Sequence, residues 1–125
     1  METLFDIHKY FGYVGIVLNA LVGIYALIAW RWKQLRGRVL WISTIVAEVA
    51  ILLQVLLGTI LVAGDEGYRK AVPRFHMFYG FLIFVTIGIL YQYRAQMKRR
   101  QELLYGLGGL FIMGLGIRAV LQVLA

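Results

Sequence analysis

Four long apolar runs constrain this chain more than any other feature of its sequence. They cover residues 6–30, 39–63, 74–93 and 103–124, and the segments between them are short. About 20 apolar residues in an α-helix cross the hydrocarbon core of a bilayer, at 1.5 Å per residue. With 62% hydrophobic and 15% charged residues, the chain lacks the polar groups that cover a soluble domain. The sequence therefore predicts an all-α integral membrane four-helix bundle, with residues 1–125 as a single transmembrane domain.

The composition also excludes several functional classes. The chain has no cysteine, which removes disulfides, thiolate metal sites and cysteine nucleophiles. The sequence contains no phosphate-binding loop, HExxH metal motif or nucleophile–base arrangement. A net charge of +7 would suggest nucleic acid in a soluble protein, but these charges lie in short loops between apolar runs. We therefore expect a lipid bilayer as the environment and no nucleic-acid partner.

The charges of the loops predict the orientation of the helices. Loop 31–38 carries four basic residues and no acidic residue, and loop 94–102 carries four basic residues and one acidic residue. The remaining loop, between the second and third helices, is nearly balanced in charge. Cytoplasmic loops carry the excess of lysine and arginine, so loops 31–38 and 94–102 are predicted to be cytoplasmic and both termini to be outside. The expected location is the cell's inner or plasma membrane, and the first helix would act as its own insertion signal.

A short internal repeat links the first and third apolar runs. The first begins His8-Lys9-Tyr10-Phe11-Gly12 and the third begins His76-Met77-Phe78-Tyr79-Gly80. Both read His-x-aromatic-aromatic-Gly, and each run is followed by a basic loop and a returning helix. Two helix hairpins related by an axis along the membrane normal would produce this pattern. The repeat therefore predicts two parallel-related hairpins with both histidines at similar depth near the outer face.

These two histidines, the only ones in the chain, are the candidate cofactor ligands. A haem iron takes one imidazole from each side of a flat macrocycle. A glycine one turn below each histidine would leave room for the macrocycle, and basic residues at the same level, including Arg69 and Lys70, could neutralise propionates. The predicted haem b site comprises two metal ligands and four flanking residues: His8, His76, Gly12, Gly80, Lys9 and Arg74. The alternative is that each histidine is only an interfacial hydrogen-bonding group, since a polar ring near a helix end can reach water.

The first helix carries a stripe of small and polar residues below its histidine. Gly12, Gly15, Asn19 and Gly23 follow His8 at intervals of three or four residues, so all five lie on one face of the helix. Small residues let membrane helices approach closely. The stripe therefore predicts the face along which this helix packs against its neighbours.

Two segments of the chain resemble the haem A synthase family. One is His8-Lys9-Tyr10-Phe11-Gly12; the other is Gln54-Val55-Leu56-Leu57-Gly58 followed, after a polar loop, by Phe75-His76-Met77. Such synthases consist of two four-helix halves, each with a histidine pair on parallel helices, and the resemblance covers one half. It implies that His8 and His76 are the axial ligands of one b-type haem. Phe5 stands where the family's catalytic half has a glutamate, and the loop cysteine pair is missing, so we expect a carrier or accessory subunit rather than a catalyst.

Three functional hypotheses are open from the sequence. The first is a small membrane haem b protein that transfers electrons or handles haem, with quinol or a larger respiratory assembly as its partner. The second is a cofactor-free accessory subunit of a larger membrane complex. Glu48, in the middle of the second helix and off its small-residue stripe, would then face that complex or a second copy of the chain. The third is one half of a dimeric transporter, which the repeat suggests although few polar residues line a pathway.

Overall fold

The computed structural model describes residues 2–124, and these are helical almost throughout. Five α-helices are present: α1 (Glu2–Arg31), α2 (Arg38–Gly64), α3 (Glu66–Ala71), α4 (Arg74–Tyr93) and α5 (Gln101–Leu124). Short 3-10 turns at Lys33–Leu35 and Lys98–Arg100 join α1 to α2 and α4 to α5. The four helices other than α3 are long and apolar enough to cross a membrane, which confirms the predicted all-α class and the number of spans.

The helix ends follow from local backbone chemistry. Gly37 precedes α2 with φ 144° and ψ −158°, a conformation that is essentially restricted to glycine. Pro73 precedes α4 in an extended conformation, where its missing N–H leaves no unsatisfied donor. The Asp65 side chain accepts a hydrogen bond of 3.1 Å from the backbone N–H of Tyr68 and so caps the short helix α3. Residues 64–73 lie between the predicted helices, so α3 is an addition to the predicted set.

Two arginines close the ends of the helices that precede them. Arg36 donates from Nε to the Ala29 carbonyl at 2.9 Å and from Nη2 to the Trp30 carbonyl at 2.7 Å. Arg69 donates in the same way to the carbonyls seven and six residues before it, in the last turn of α2, at 2.8 and 3.4 Å. Carbonyls in the last turn of a helix have no partner within the helix, so both arginines satisfy acceptors that would otherwise need water.

The contact between α1 and α5 is the most extensive in the bundle. Helix α1 also packs against α2, and α5 also packs against α4, whereas the contact between α2 and α4 is small. Adding a Cβ to Gly109 of α5 would place it 3.0 Å from the Asn19 carbonyl oxygen and 3.1 Å from the Gly23 Cα. The backbones of α1 and α5 are therefore in direct contact. The predicted stripe on α1 is confirmed as the packing face, because all five of its residues are buried.

The outward faces of the long helices are apolar. Large exposed side chains such as Val17, Leu21, Phe81 and Leu121 cover them along their whole length. A monomeric soluble protein rarely exposes contiguous apolar surface of this extent, whereas lipid tails solvate it well. The exposed surface and the helix lengths together indicate a multi-pass protein in a lipid bilayer.

Candidate functional site

Both histidines are held by backbone carbonyls of a neighbouring helix. His8 Nδ1 donates to the Gln54 carbonyl of α2 at 3.2 Å, and His76 Nδ1 donates to the Ala119 carbonyl of α5 at 2.8 Å. A carbonyl oxygen can only accept, so the proton of each neutral ring resides on Nδ1. Each ring therefore presents Nε2 as a free lone pair, which is the state in which histidine binds metals.

The two rings lie next to each other. Their centres are 6.0 Å apart and their planes are inclined by 85°, so the first turns of α1 and α4 meet at the same end of the bundle. We call this the histidine end, and the opposite end, with loops 31–38 and 94–102, the basic end. Two imidazoles on opposite sides of one metal ion would have centres about 6 Å apart, from two metal–nitrogen bonds of about 2.0 Å and about 1 Å from each nitrogen to its ring centre. The observed separation matches this spacing, and it also matches the spacing of two rings in direct edge-to-face contact.

The glycines near the histidines have three different roles. A Cβ on Gly58 would lie 2.9 Å from His8 Cε1, so this glycine makes room for the ring itself. A Cβ on Gly12 would lie 2.8 Å from Gln54 Nε2, so Gly12 makes room for that side chain and not directly for a ligand. Gly80 has no atom within 4 Å of its Cβ position and faces open space. Of the two glycines in the predicted site, Gly80 is therefore the one that leaves space free.

A cavity of about 460 Å³ opens beside the two rings. This volume is typical of small-molecule sites, which run from about 300 to 1,000 Å³. The polar residues of the lining are both histidines, Gln54, Thr59 and Tyr68. The rest of the lining is apolar and includes Gly12, Gly80, Val55, Phe81 and Phe84. Residues from all five helices contribute to the lining. The cavity occupies the space that α2 and α4 leave between them at the histidine end. Four of the six predicted site residues thus come together around one cavity.

The two basic residues of the predicted site lie outside the cavity lining. Lys9 and Arg74 are exposed at the histidine end, and Lys9 Nζ lies 5.5 Å from the centre of the Tyr10 ring. Arg69, a third basic residue considered for propionates, is instead engaged at the end of α2, and Lys70 pairs with Glu66 at 3.1 Å. Among residues 2–124, Lys9 and Arg74 are therefore the cations of this group with neither an ion pair nor a side-chain hydrogen bond to a carbonyl.

Gln54 is a site residue that the sequence analysis did not assign. Its side-chain Nε2 donates to the His8 carbonyl at 2.5 Å, while its own backbone carbonyl accepts from His8 Nδ1. Gln54 Oε1 is buried with no hydrogen-bond partner in the described part of the chain. The sequence signal was the placement of a lone amide in an apolar helix, where polar side chains are costly. Gln54 fixes the position of His8 through two reciprocal bonds.

Helix α3 lies against His8 at the histidine end. The Tyr68 ring meets the His8 ring edge to face at 6.4 Å and the Phe5 ring at 5.8 Å. Burial raises the pKa of the Tyr68 phenol above its ordinary value. Tyr68 also lines the cavity, so the short helix covers the His8 side of the site.

A second polar group lies near the basic end and is separate from the cavity. Glu48 is half-buried on α2. The Arg94 guanidinium stacks 5.0 Å from the Trp41 ring, which in turn lies 5.7 Å from the Tyr105 ring. The Tyr105 hydroxyl is buried with no hydrogen-bond partner among the described residues. These groups hold α2, α4 and α5 together at this end.

The cavity combines two histidine side chains with largely apolar surroundings. Among residues 2–124 no group of three or more His, Cys, Asp or Glu side chains could hold a metal ion. Zinc and copper sites ordinarily need three or four such ligands, whereas haem brings its own equatorial nitrogens and needs at most two. No protein-family model, curated protein or solved structure matches the chain, so this geometry is the guide to its ligand.

Proposed function

We propose that this protein is a small membrane haem b protein in which His8 and His76 are the two axial ligands. The proposal depends mainly on one observation: each histidine ring donates from Nδ1 to a backbone carbonyl. The Nε2 atom of each ring is therefore a free acceptor, and both rings line one cavity. The sequence resemblance to one half of haem A synthase suggests the same two residues. In this proposal the protein transfers electrons or handles haem, within or beside a respiratory assembly, with quinol as a candidate partner.

The residues around the cavity have distinct tasks in this proposal. When bound, haem supplies one-electron redox chemistry. A carbonyl that accepts from Nδ1–H fixes the ring orientation and makes Nε2 a stronger donor to a metal. Gln54 holds His8 through its two bonds with α1, and the apolar lining keeps water away from the ligand. Lys9 and Arg74 are the candidates for the propionates, at the histidine end and outside the lining.

We also propose an orientation for the bundle. The basic loops 31–38 and 94–102 would be cytoplasmic, and the histidine end with both termini would face outside. The two hairpins, α1–α2 and α4–α5, would be related by an axis along the membrane normal. What supports this is the repeated His-x-aromatic-aromatic-Gly motif and the meeting of both histidines at one end. The haem would then lie near the outer face.

Absorbance spectroscopy tests the cofactor directly. The protein is expressed with ample haem, purified in detergent, and recorded as reduced-minus-oxidised spectra. We expect a sharp b-type α band that is lost in His8→Ala and in His76→Ala and retained in Gly88→Ala, whose Cβ would have no atom within 4 Å. Added imidazole should restore the band in each alanine variant, because free imidazole can occupy the vacated ligand position.

The opposite result would indicate a different class of function. Protein that stays colourless although it is folded and helical would refute haem binding. The second hypothesis, a cofactor-free accessory subunit, would then be favoured. A band that survives both histidine substitutions would show that haem binds elsewhere on the protein.

A further inference from the structure

Three of the four contacts between neighbouring long helices are closed along the cavity. At the cavity, a Cβ on Gly116 of α5 would lie 2.6 Å from Ile16 Cγ1 of α1, so these helices are tightly packed there. Further from the cavity, their backbones touch through Gly23 and Gly109. Helices α1 and α2 are joined by the His8–Gln54 bonds and, deeper, by Asn19 Nδ2, which donates to the Ala47 carbonyl at 3.1 Å. Helices α4 and α5 are joined by the bond from His76 to the Ala119 carbonyl. Separating any of these three pairs would break hydrogen bonds or backbone packing.

The fourth contact, between α2 and α4, is open at the histidine end. No side-chain hydrogen bond joins these two helices in the described part of the chain, and their contact is small. Towards the basic end they do pack, because Ile51 of α2 shares a buried cluster with Ile83 and Ile87 of α4. Above this cluster the cavity is bordered by Thr59 on α2 and by Phe81 on α4, both of which are exposed. We call this opening the α2–α4 slot.

The slot faces the bilayer. It lies between two membrane-spanning helices whose outward faces are apolar, and the exposed lining residues Thr59, Phe81 and Phe84 border it. At the end of the bundle Tyr68 covers His8, and Arg69 fastens α3 to the last turn of α2. An approach to the rings is therefore present sideways, from the hydrocarbon region.

We infer that the cavity takes up its ligand laterally from the membrane, through the α2–α4 slot. The inference rests on the proposed function, and it adds that the ligand class is an amphiphile dissolved in the bilayer, with an apolar planar body that passes between α2 and α4. Its polar edge stays near the headgroups at the histidine end, where Lys9 and Arg74 lie. Transfer between membrane and protein then needs only a small separation of two helices that are not bonded to each other.

A reversible crosslink across the slot tests this route, since the chain has no cysteine of its own. Thr59→Cys and Phe81→Cys are combined, and a bifunctional methanethiosulfonate bridges the two thiols through bonds that a reductant cleaves. Haemin is supplied from phosphatidylcholine vesicles to the apoprotein in proteoliposomes. We expect bridging to slow the appearance of the b-type spectrum at least tenfold, and reductant to restore the rate.

Two controls separate closure of the slot from chemical modification. Each single-cysteine variant is treated with the same reagent. The pair Val46→Cys and Val49→Cys, both exposed on α2 and three residues apart, carries a bridge within one helix. Each of these treated controls should load at the same rate as the identical variant before treatment. As an independent measurement, Phe84→Ala should widen the slot and speed loading severalfold, whether or not the bridge forms.

The outcomes distinguish failure of the lateral route from failure of haem binding. If bridged and unbridged protein load at the same rate, or if Phe84→Ala leaves the rate unchanged, lateral entry is wrong while haem binding stands. If the unbridged protein never develops the spectrum, the proposed function itself fails. Loading that is slower from vesicles than from aqueous haemin–albumin, with no effect of the bridge, would indicate entry from water at the histidine end.

Discussion

The direct backbone contact between α1 and α5 makes a quantitative prediction about Gly109→Ala. The added methyl group would lie 3.0 Å from the Asn19 carbonyl oxygen and 3.1 Å from the Gly23 Cα, where ordinary contacts are 3.4–4 Å. Both neighbours are backbone atoms, so neither can rotate away. The two helices must separate by a few tenths of an ångström along their whole contact, and overpacking of this kind costs about 1–3 kcal/mol.

Substituting a second glycine on the same helix by alanine controls for the effects of alanine other than the clash. Alanine is a better helix former than glycine by about 1 kcal/mol, which offsets part of the packing cost at Gly109. Gly114 has no atom within 4 Å of its Cβ position, so Gly114→Ala carries the gain in helix propensity without the clash. The difference in the free energy of unfolding between the two variants should therefore be about 1–3 kcal/mol, with Gly109→Ala the less stable.

Unfolding in mixed micelles measures this difference. Each variant is titrated with dodecyl sulfate in a mild detergent and followed by circular dichroism and tryptophan fluorescence. Gly114→Ala should unfold at the same or a higher denaturant fraction than the parent protein, and Gly109→Ala at a lower one. Equal midpoints for the two variants would show that α1 and α5 do not meet through their backbones.

Three further predictions concern single side chains. Gly37→Ala should lower the free energy of unfolding by about 1–3 kcal/mol in the same titration, because its φ of 144° excludes a side chain although the surrounding space is open; no loss would argue against this turn. Tyr105→Phe removes a buried hydroxyl that lacks a partner, so stability should stay unchanged or rise by about 1–3 kcal/mol, and a clear loss would reveal a missed hydrogen bond. Because burial raises the pKa of Tyr68, the folded protein retains this proton after the unfolded chain has lost it, and stability should fall as the pH rises above about 10. Tyr68→Phe should reduce that alkaline loss, and an identical pH profile would contradict the assignment.

The parts of the fold that follow from periodicity were predictable from the sequence. Four apolar runs of membrane-spanning length gave the four long helices, since bilayer thickness fixes how many residues each needs. The stripe from His8 to Gly23 identified the packing face of α1, because residues at intervals of three and four share one side of a helix. Spacing of this kind reports which face is buried but not which neighbour covers it.

The details of the candidate site depended on those neighbours. The acceptors for His8 and His76 are backbone carbonyls, and a carbonyl has no signature in the sequence. Gly12 was expected to leave room for a ligand, yet the space beside it is filled by Gln54, a residue 42 positions further along the chain. Helix α3 was missed because six residues are too few for a hydrophobic period, and its formation depends on the Asp65 cap.

Arg36 and Arg69 donate hydrogen bonds to the last turns of α1 and α2, and these bonds restrict which residues can occupy positions 36 and 69. Lysine would preserve the positive charge at either position, and with it the charge balance on which membrane orientation depends. It would preserve these hydrogen bonds only in part, because arginine donates to two successive carbonyls from two nitrogens of one planar fork, whereas lysine has a single nitrogen on a flexible stem. A lysine at position 36 or 69 would therefore keep the charge but hold the last turn of α1 or α2 less firmly. At these two places the basic residues of membrane loops are not equivalent.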